Sequence, residues 1–322
     1  MPEWLIERGI GEDRAVLIDD GEIVEARVAL DGSLPAGSVI AARLVNTGTN
    51  GRNAIAVGAG GIEYLLPHGA PGLTQGATLT VEITREAIPG REPWKRPLAR
   101  ISDERSELRP KLDLGSPARE LAFPAPTDEL QAADWDDLLD EARSGVVAFA
   151  GGELRISATP AMTLIDVDGY LAPEELSVLG AAEAARTIRR HDIGGSIGVD
   201  LPTVGSKSVR QAAATAIDHI LPKPFERTAV NGFGFVQIVR PRLRASLLEL
   251  AQDRASFEAR ALLRRVALEQ PGAKRLVVHP ALAELLERRR DWIASLAGQV
   301  GGAVELRRDP GVAIYAGYAE PI

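Results

Sequence analysis

The sequence predicts a multi-domain α+β fold: a small β-barrel inserted before a mixed α/β domain, with a small C-terminal α/β domain after it. Three observations carry this. Residues 37–101 hold five short apolar runs parted by Gly, Pro and Asn, the pattern of a small barrel or sandwich. From residue 163 onward, apolar runs alternate with helical patterns, which implies at least partly parallel strand pairing. A chain of 322 residues, at about 100–200 per domain, holds two or three of them.

In chain order, residues 1–36 read as a β-meander packing on the later α/β part. Two alternating runs surround Asp19-Asp20-Gly21, a hairpin signal. Barrel strands are expected at 38–45, 53–57, 62–67, 78–84 and 97–102. The charged, proline-bearing stretch 102–133 reads as a linker. Residues 134–250 form the mixed α/β domain, opening with a helix over 135–145 and strands over 145–150, 153–157 and 162–168. A helix over Pro173–Arg190, with Pro in its first turn, leads to the stop at 191–195 and a strand at 196–201. A helix over Ser206–Ile220 and a strand over 233–239 follow. The terminal unit, 251–322, is expected to hold a helix, a strand at 276–279, one long helix over 281–298 and strands at 303–308 and 312–317.

Composition removes several classes of function. Cysteine is absent, so disulfides, thiol nucleophiles and cysteine-ligated zinc are out. The four histidines show no metal-ligand spacing. No run of about 18 apolar residues exists to span a membrane. The opening residues show no basic stretch before an apolar one, so a cytoplasmic protein without a secretory signal is expected. The net charge of −8, from 37 basic and 45 acidic residues, argues against non-specific coating of nucleic acid but not against a local basic groove. Arg85, Arg91, Lys95, Arg96 and Arg100 crowd one segment; Arg240, Arg242 and Arg244 crowd another. Each is either a solvated face or a groove. Trp94, inside the first cluster, is a candidate base-stacking residue.

The chemistry-bearing residues lie in Thr163–Gly169. Side chains alternate along a strand, so Asp166 and Asp168 share one face while Ile165 and Val167 take the other. Adjacent carboxylates repel and call for a cation, protons or open water. Asp200 ends the next apolar strand, and neighbouring parallel strands would bring all three acids to one carboxyl edge, where open α/β sheets bind ligands. Such a group suits Mg²⁺, which keeps several waters and takes one or two carboxylates. Acids at strand ends also serve simply as turn formers or solvated edges. No phosphate loop, dinucleotide fingerprint or nucleophile elbow is present.

These residues carry a resemblance. Gly151–Ile156, Thr163 and Ile165-Asp166-Val167-Asp168 resemble the catalytic strand pair of the ribonuclease E/G family, and the likeness continues through Gly180–Arg186, Asp192–Gly195, Ile197–Asp200 and Val230–Phe233. The resemblance implies an OB-like barrel that binds RNA over 37–101 and a catalytic α/β domain. It also implies Mg²⁺ held by Asp166 and Asp200, with Asp168 standing where the family has Asn. The function implied is Mg²⁺-dependent cleavage of single-stranded RNA, with Arg85, Arg91, Lys95, Arg96, Arg240 and Arg242 on the RNA side. The alternative is a non-catalytic RNA-binding protein derived from such a nuclease. Without cysteine the family's zinc-linked tetramer cannot form, which leaves a homodimer open. The space over 102–145 is too short for the family's sensor of 5′-monophosphorylated RNA ends.

Overall fold

A computed structural model describes residues 1–89, 95–115 and 117–322 of the chain. It is a mixed α+β structure with one closed barrel and three sheets. Strands β1 (Glu3–Arg8), β2 (Glu12–Asp19) and β3 (Glu22–Leu30) make the meander. At the β2–β3 reversal, Asp20 and Gly21 take φ of 50° and 87°, the pair of left-handed residues that matches a two-residue turn to the strand twist.

Strands β4 (Val39–Asn46), β5 (Ala54–Val57), β6 (Glu63–Leu66), β7 (Thr78–Arg85) and β8 (Leu98–Ile101) close a barrel in the order β4-β5-β6-β8-β7. Within the barrel, among the described residues, only β6 and β8 pair in parallel. Alternate side chains, among them Leu44, Ala56, Tyr64, Val81 and Ile83, fill the interior.

The stretch 102–133 is more than a linker. It contributes β9 (Ala118–Leu121), which pairs in parallel with β1 and completes the sheet β3-β2-β1-β9. Its short, charged sequence gives no alternating apolar signal; the free edge of β1 recruits it.

Helix α1 (Trp135–Ser144) packs on the meander rather than on the sheet that follows it: Trp135, Leu138 and Leu139 share a core with Leu5, Val16 and Ile23. Next come β10 (Val146–Phe149), β11 (Gly152–Ala158), β12 (Thr163–Gly169), α2 (Pro173–Arg190), β13 (Gly195–Asp200), α3 (Lys207–Ile220), β14 (Glu226–Arg227) and β15 (Phe235–Arg240). The strands form a six-stranded sheet, β10-β11-β12-β13-β15-β14, in which β12 and β13 alone run parallel, joined through α2. Helices α2 and α3 cover one face, where Ile165, Val167, Ile197 and Val199 meet Ala181, Ala184, Ala185, Ile188, Ala213 and Ile217. Gly180 lets α2 lie close to β12, since a Cβ there would fall 2.3 Å from Val167 Cγ1. The opposite face carries Arg155, Leu164, Asp166, Asp168, Asp200 and Val239, all exposed.

The remaining elements are α4 (Leu247–Leu250), α5 (Arg254–Ala267), β16 (Lys274–Val278), α6 (Pro280–Arg288), α7 (Arg290–Val300), β17 (Val304–Arg308) and β18 (Tyr318–Pro321), with sheet order β17-β16-β18. Two expectations fail here. The single helix over 281–298 is broken at Arg289 (φ −100°, ψ 59°). The break lets Trp292 and Leu296 face the same core as Leu282 and Leu286. The strand expected over 312–317 is turned: Asp309 Oδ1 accepts the Gly311 N–H at 2.9 Å, and Ala316 N–H bonds the Ala313 carbonyl. The chain extends only from Tyr318, where the edge of β16 offers partners. Among the described residues no helix is long and apolar enough to cross a membrane.

Candidate active site

The parallel pair β12/β13 runs in register from Thr163 opposite Ile197 to Asp166 opposite Asp200. Neighbouring strands lie about 4.8 Å apart, so the two carboxylates rise side by side. Asp168, two residues on, leaves the sheet on the same side. The helix-covered face leaves these positions no apolar partner; they stand on the open face at the carboxyl ends of both strands.

Charge is concentrated there. Glu153 on β11 lies opposite Asp168, and Arg155 lies opposite Asp166. Arg155 Nε is 3.7 Å from Asp168 Oδ2, and its other end bonds Glu153. One guanidinium thus bonds Glu153, lies near Asp168 and acts weakly on Asp166. The consequence appears at Asp166: partial desolvation, then the charges of Asp168 and Asp200, push its carboxyl above the ordinary carboxylate value, against smaller opposing contributions from the Val167 N–H and Arg155.

Among the described residues no group of three or more His, Asp or Glu side chains is gathered so as to hold a metal ion. The donor chemistry present is two facing carboxylates with a third beyond them. It fits a cation that retains most of its water, as Mg²⁺ does, rather than a caged ion.

The basic residues are differently placed. Arg85 ends β7 with its Nη2 donating to the Arg96 carbonyl at 2.7 Å. Arg96 Nε lies 2.6 Å from Glu63 Oε2 across the barrel surface, and Arg100 pairs with Glu82. Lys95 stands half-buried beside them. Arg91 and Trp94 lie outside the described residues. Arg240 donates to the Ile193 carbonyl at 2.9 Å, closing the end of α2, and Arg242 pairs with Glu249. Arg244 faces Glu86 and Asp192. Arg85, Arg96, Arg100, Arg240, Arg242 and Arg244 therefore each serve local structure, and among the described residues no contact between them and Asp166, Asp168 or Asp200 is seen.

Sequence reading did not single out Glu153, Arg155, Tyr170 or the aromatic role of Phe233. Period-two alternation from β12 to β11 would have placed the first two beside the acids, had the register been known. A scan of the chain against protein-family models finds no match, and a search of curated proteins finds none either.

Proposed function

We propose that this chain is a Mg²⁺-dependent endoribonuclease acting on single-stranded RNA, with Asp166 and Asp200 as the metal-holding pair. The observation that carries the reading is the register setting Asp166 directly opposite Asp200 on an open sheet face. Two further features support it. The motifs around both acids resemble the ribonuclease E/G family. The barrel order β4-β5-β6-β8-β7, with its third and fifth strands parallel, matches an OB-fold, a barrel suited to unpaired nucleic acid. In this arrangement 37–101 grips RNA, 134–250 carries the chemistry with the meander 1–36 against it, and 251–322 is a terminal α/β unit.

A Mg²⁺ ion held by the pair would supply a bound water of lowered pKa and a positive charge for the phosphodiester oxygens. The charge of such an ion would favour the ionised form of Asp166. Asp168 lies 3.7 Å from Arg155 and adds a third carboxylate to the strip, where an Asn would leave the shape nearly unchanged and remove one charge. Arg155 keeps the acid strip from full mutual repulsion while leaving Asp166 and Asp200 open.

The second reading is a non-catalytic RNA-binding protein. Arg155 favours it, since a guanidinium 3.7 Å from Asp168 already neutralises part of the strip. Mg²⁺-dependent cleavage of a labelled single-stranded RNA decides between them. Asp200→Asn should lower the rate by at least about 100-fold, since even outer-shell partners of a metal are worth about 10–100-fold. Asp168→Asn should retain or raise it. Cleavage surviving Asp200→Asn but lost in Asp168→Asn would overturn the ligand assignment, and no cleavage by the wild type would leave the binding protein.

A further inference from the structure

Two exposed aromatic side chains border the acid pair. Phe233 is 81% and Tyr170 84% exposed, whereas rings of this size ordinarily bury most of their surface. Neither is a frayed end. Asn231 Oδ1 accepts the N–H groups of Phe233 and Phe235 at 2.9 and 3.1 Å, and the Thr203 hydroxyl donates to the Phe233 carbonyl at 2.9 Å. Leu201 N–H reaches the Gly234 carbonyl at 3.3 Å, so this built turn stands directly beyond Asp200. Tyr170 follows Gly169 with its N–H on the Gly151 carbonyl at 3.2 Å, two residues past Asp168.

One row further back from the acids, the same sheet face carries a close-fitting apolar patch. The Phe235 ring lies over Gly198, where a Cβ would sit 2.6 Å from ring Cζ and 3.0 Å from Leu164 Cδ2. Any side chain at 198 would lift that ring. One exposed ring thus stands beyond Asp200 and another beyond Asp168, with the Phe235 ring over Gly198, two residues before Asp200.

We infer that Phe233 and Tyr170 are stacking platforms for unpaired RNA bases, one on each side of the phosphodiester presented to Asp166 and Asp200. This rests on the reading of the chain as an RNA-cutting or RNA-binding protein. Bases within a duplex already cover one another, so their faces are unavailable; splayed bases of a single strand offer a π-face whatever their identity. An apolar protein surface seated on the same rings would have to strip water from Asp166, Asp168 and Asp200, a large cost without paired charges. A polynucleotide leaves that strip wet.

The test uses full-length protein carrying Asp200→Asn, so that RNA is bound without being cut, and a fluorescently labelled single-stranded RNA. A second oligomer has the same backbone with the bases removed from its central nucleotides. Phe233→Ala and Tyr170→Ala should each weaken binding of the intact strand by roughly 5- to 150-fold, the worth of a base–aromatic stack. Neither should alter binding of the abasic strand, and Phe233→Trp should restore the affinity that Phe233→Ala loses. Both rings are exposed, so truncation spares every core. Unchanged affinity in both alanine variants, or equal losses on intact and abasic strands, would overturn the stacking assignment alone. Failure of the parent protein to bind the intact strand would overturn it together with the reading beneath it.

Discussion

Asp166 holds its proton more tightly than a free aspartate because it is partly desolvated and faces Asp168 and Asp200. Its folded-state pKa is raised, so the ionised form is the one the fold disfavours. The stability it permits is fully present below the unfolded value near 3.9 and is lost as pH rises through the higher folded value. Asp166→Asn should therefore melt above the wild type at neutral pH without added metal, the gap narrowing as the pH falls toward about 3. The gain should be small, about a few tenths of a kcal/mol, since water screens an exposed carboxylate. Added Mg²⁺ should shrink the gap from the other side by stabilising the wild type. Thermal melts by circular dichroism at several pH values check this; a variant less stable than wild type at neutral pH would mean that Asp166 is held by favourable contacts instead.

At the scale of elements, the acids are placed by how α2 sits on β12. Gly180→Ala should destabilise the fold: overpacking against Val167 costs about 1–3 kcal/mol, while the gain in helix propensity returns at most about 1 kcal/mol. Val167→Ala opens that space, so the double variant should recover part of the loss in denaturant melts; strict additivity would mean the two do not touch. The helix over Pro173–Arg190 and the stop at 191–195 were legible in the sequence, as were the five barrel strands, because each is written in local periodicity and turn chemistry. β9, the break at Arg289 and the turned segment 312–317 were not. Val312-Ala313-Ile314-Tyr315 reads as a strand, yet which residues extend is decided by the edge of β16, which is not local information. The same holds for the site. Alternation placed Asp166 and Asp168 on one face, but only the register sets Asp200 across from Asp166, and Arg96 meets Glu63 through barrel closure rather than proximity in sequence.

Over the whole molecule, the units are joined by buried charge as well as by apolar contact. Arg14 bonds Glu7 and Glu12 at 2.6 and 2.8 Å, Arg264 reaches Glu7 at 2.9 Å and Asp128 at 2.6 Å, and Arg260 reaches Glu12 at 2.5 Å. This network fixes the meander to α5. Burial alone would push the Glu12 carboxyl up, but Arg14 and Arg260 outweigh it and hold it below the usual range, so its contribution is lost only as acid titrates that lowered value. His191, at the end of α2, bonds Glu141 of α1 at 2.8 Å and ties the meander core to the sheet that bears the acids. The open face is therefore carried on a braced frame, and in the proposed reading a cation there would meet carboxylates already in position. Isothermal titration of Mg²⁺ into the intact protein tests this most directly. Wild type should bind one ion per chain, and binding should tighten as pH rises and the carboxylates ionise. Asp200→Asn should weaken binding at least about tenfold while leaving the melting curve intact. Equal Mg²⁺ affinity in wild type and Asp200→Asn, or no binding by the wild type, would contradict a cation site shared by Asp166 and Asp200.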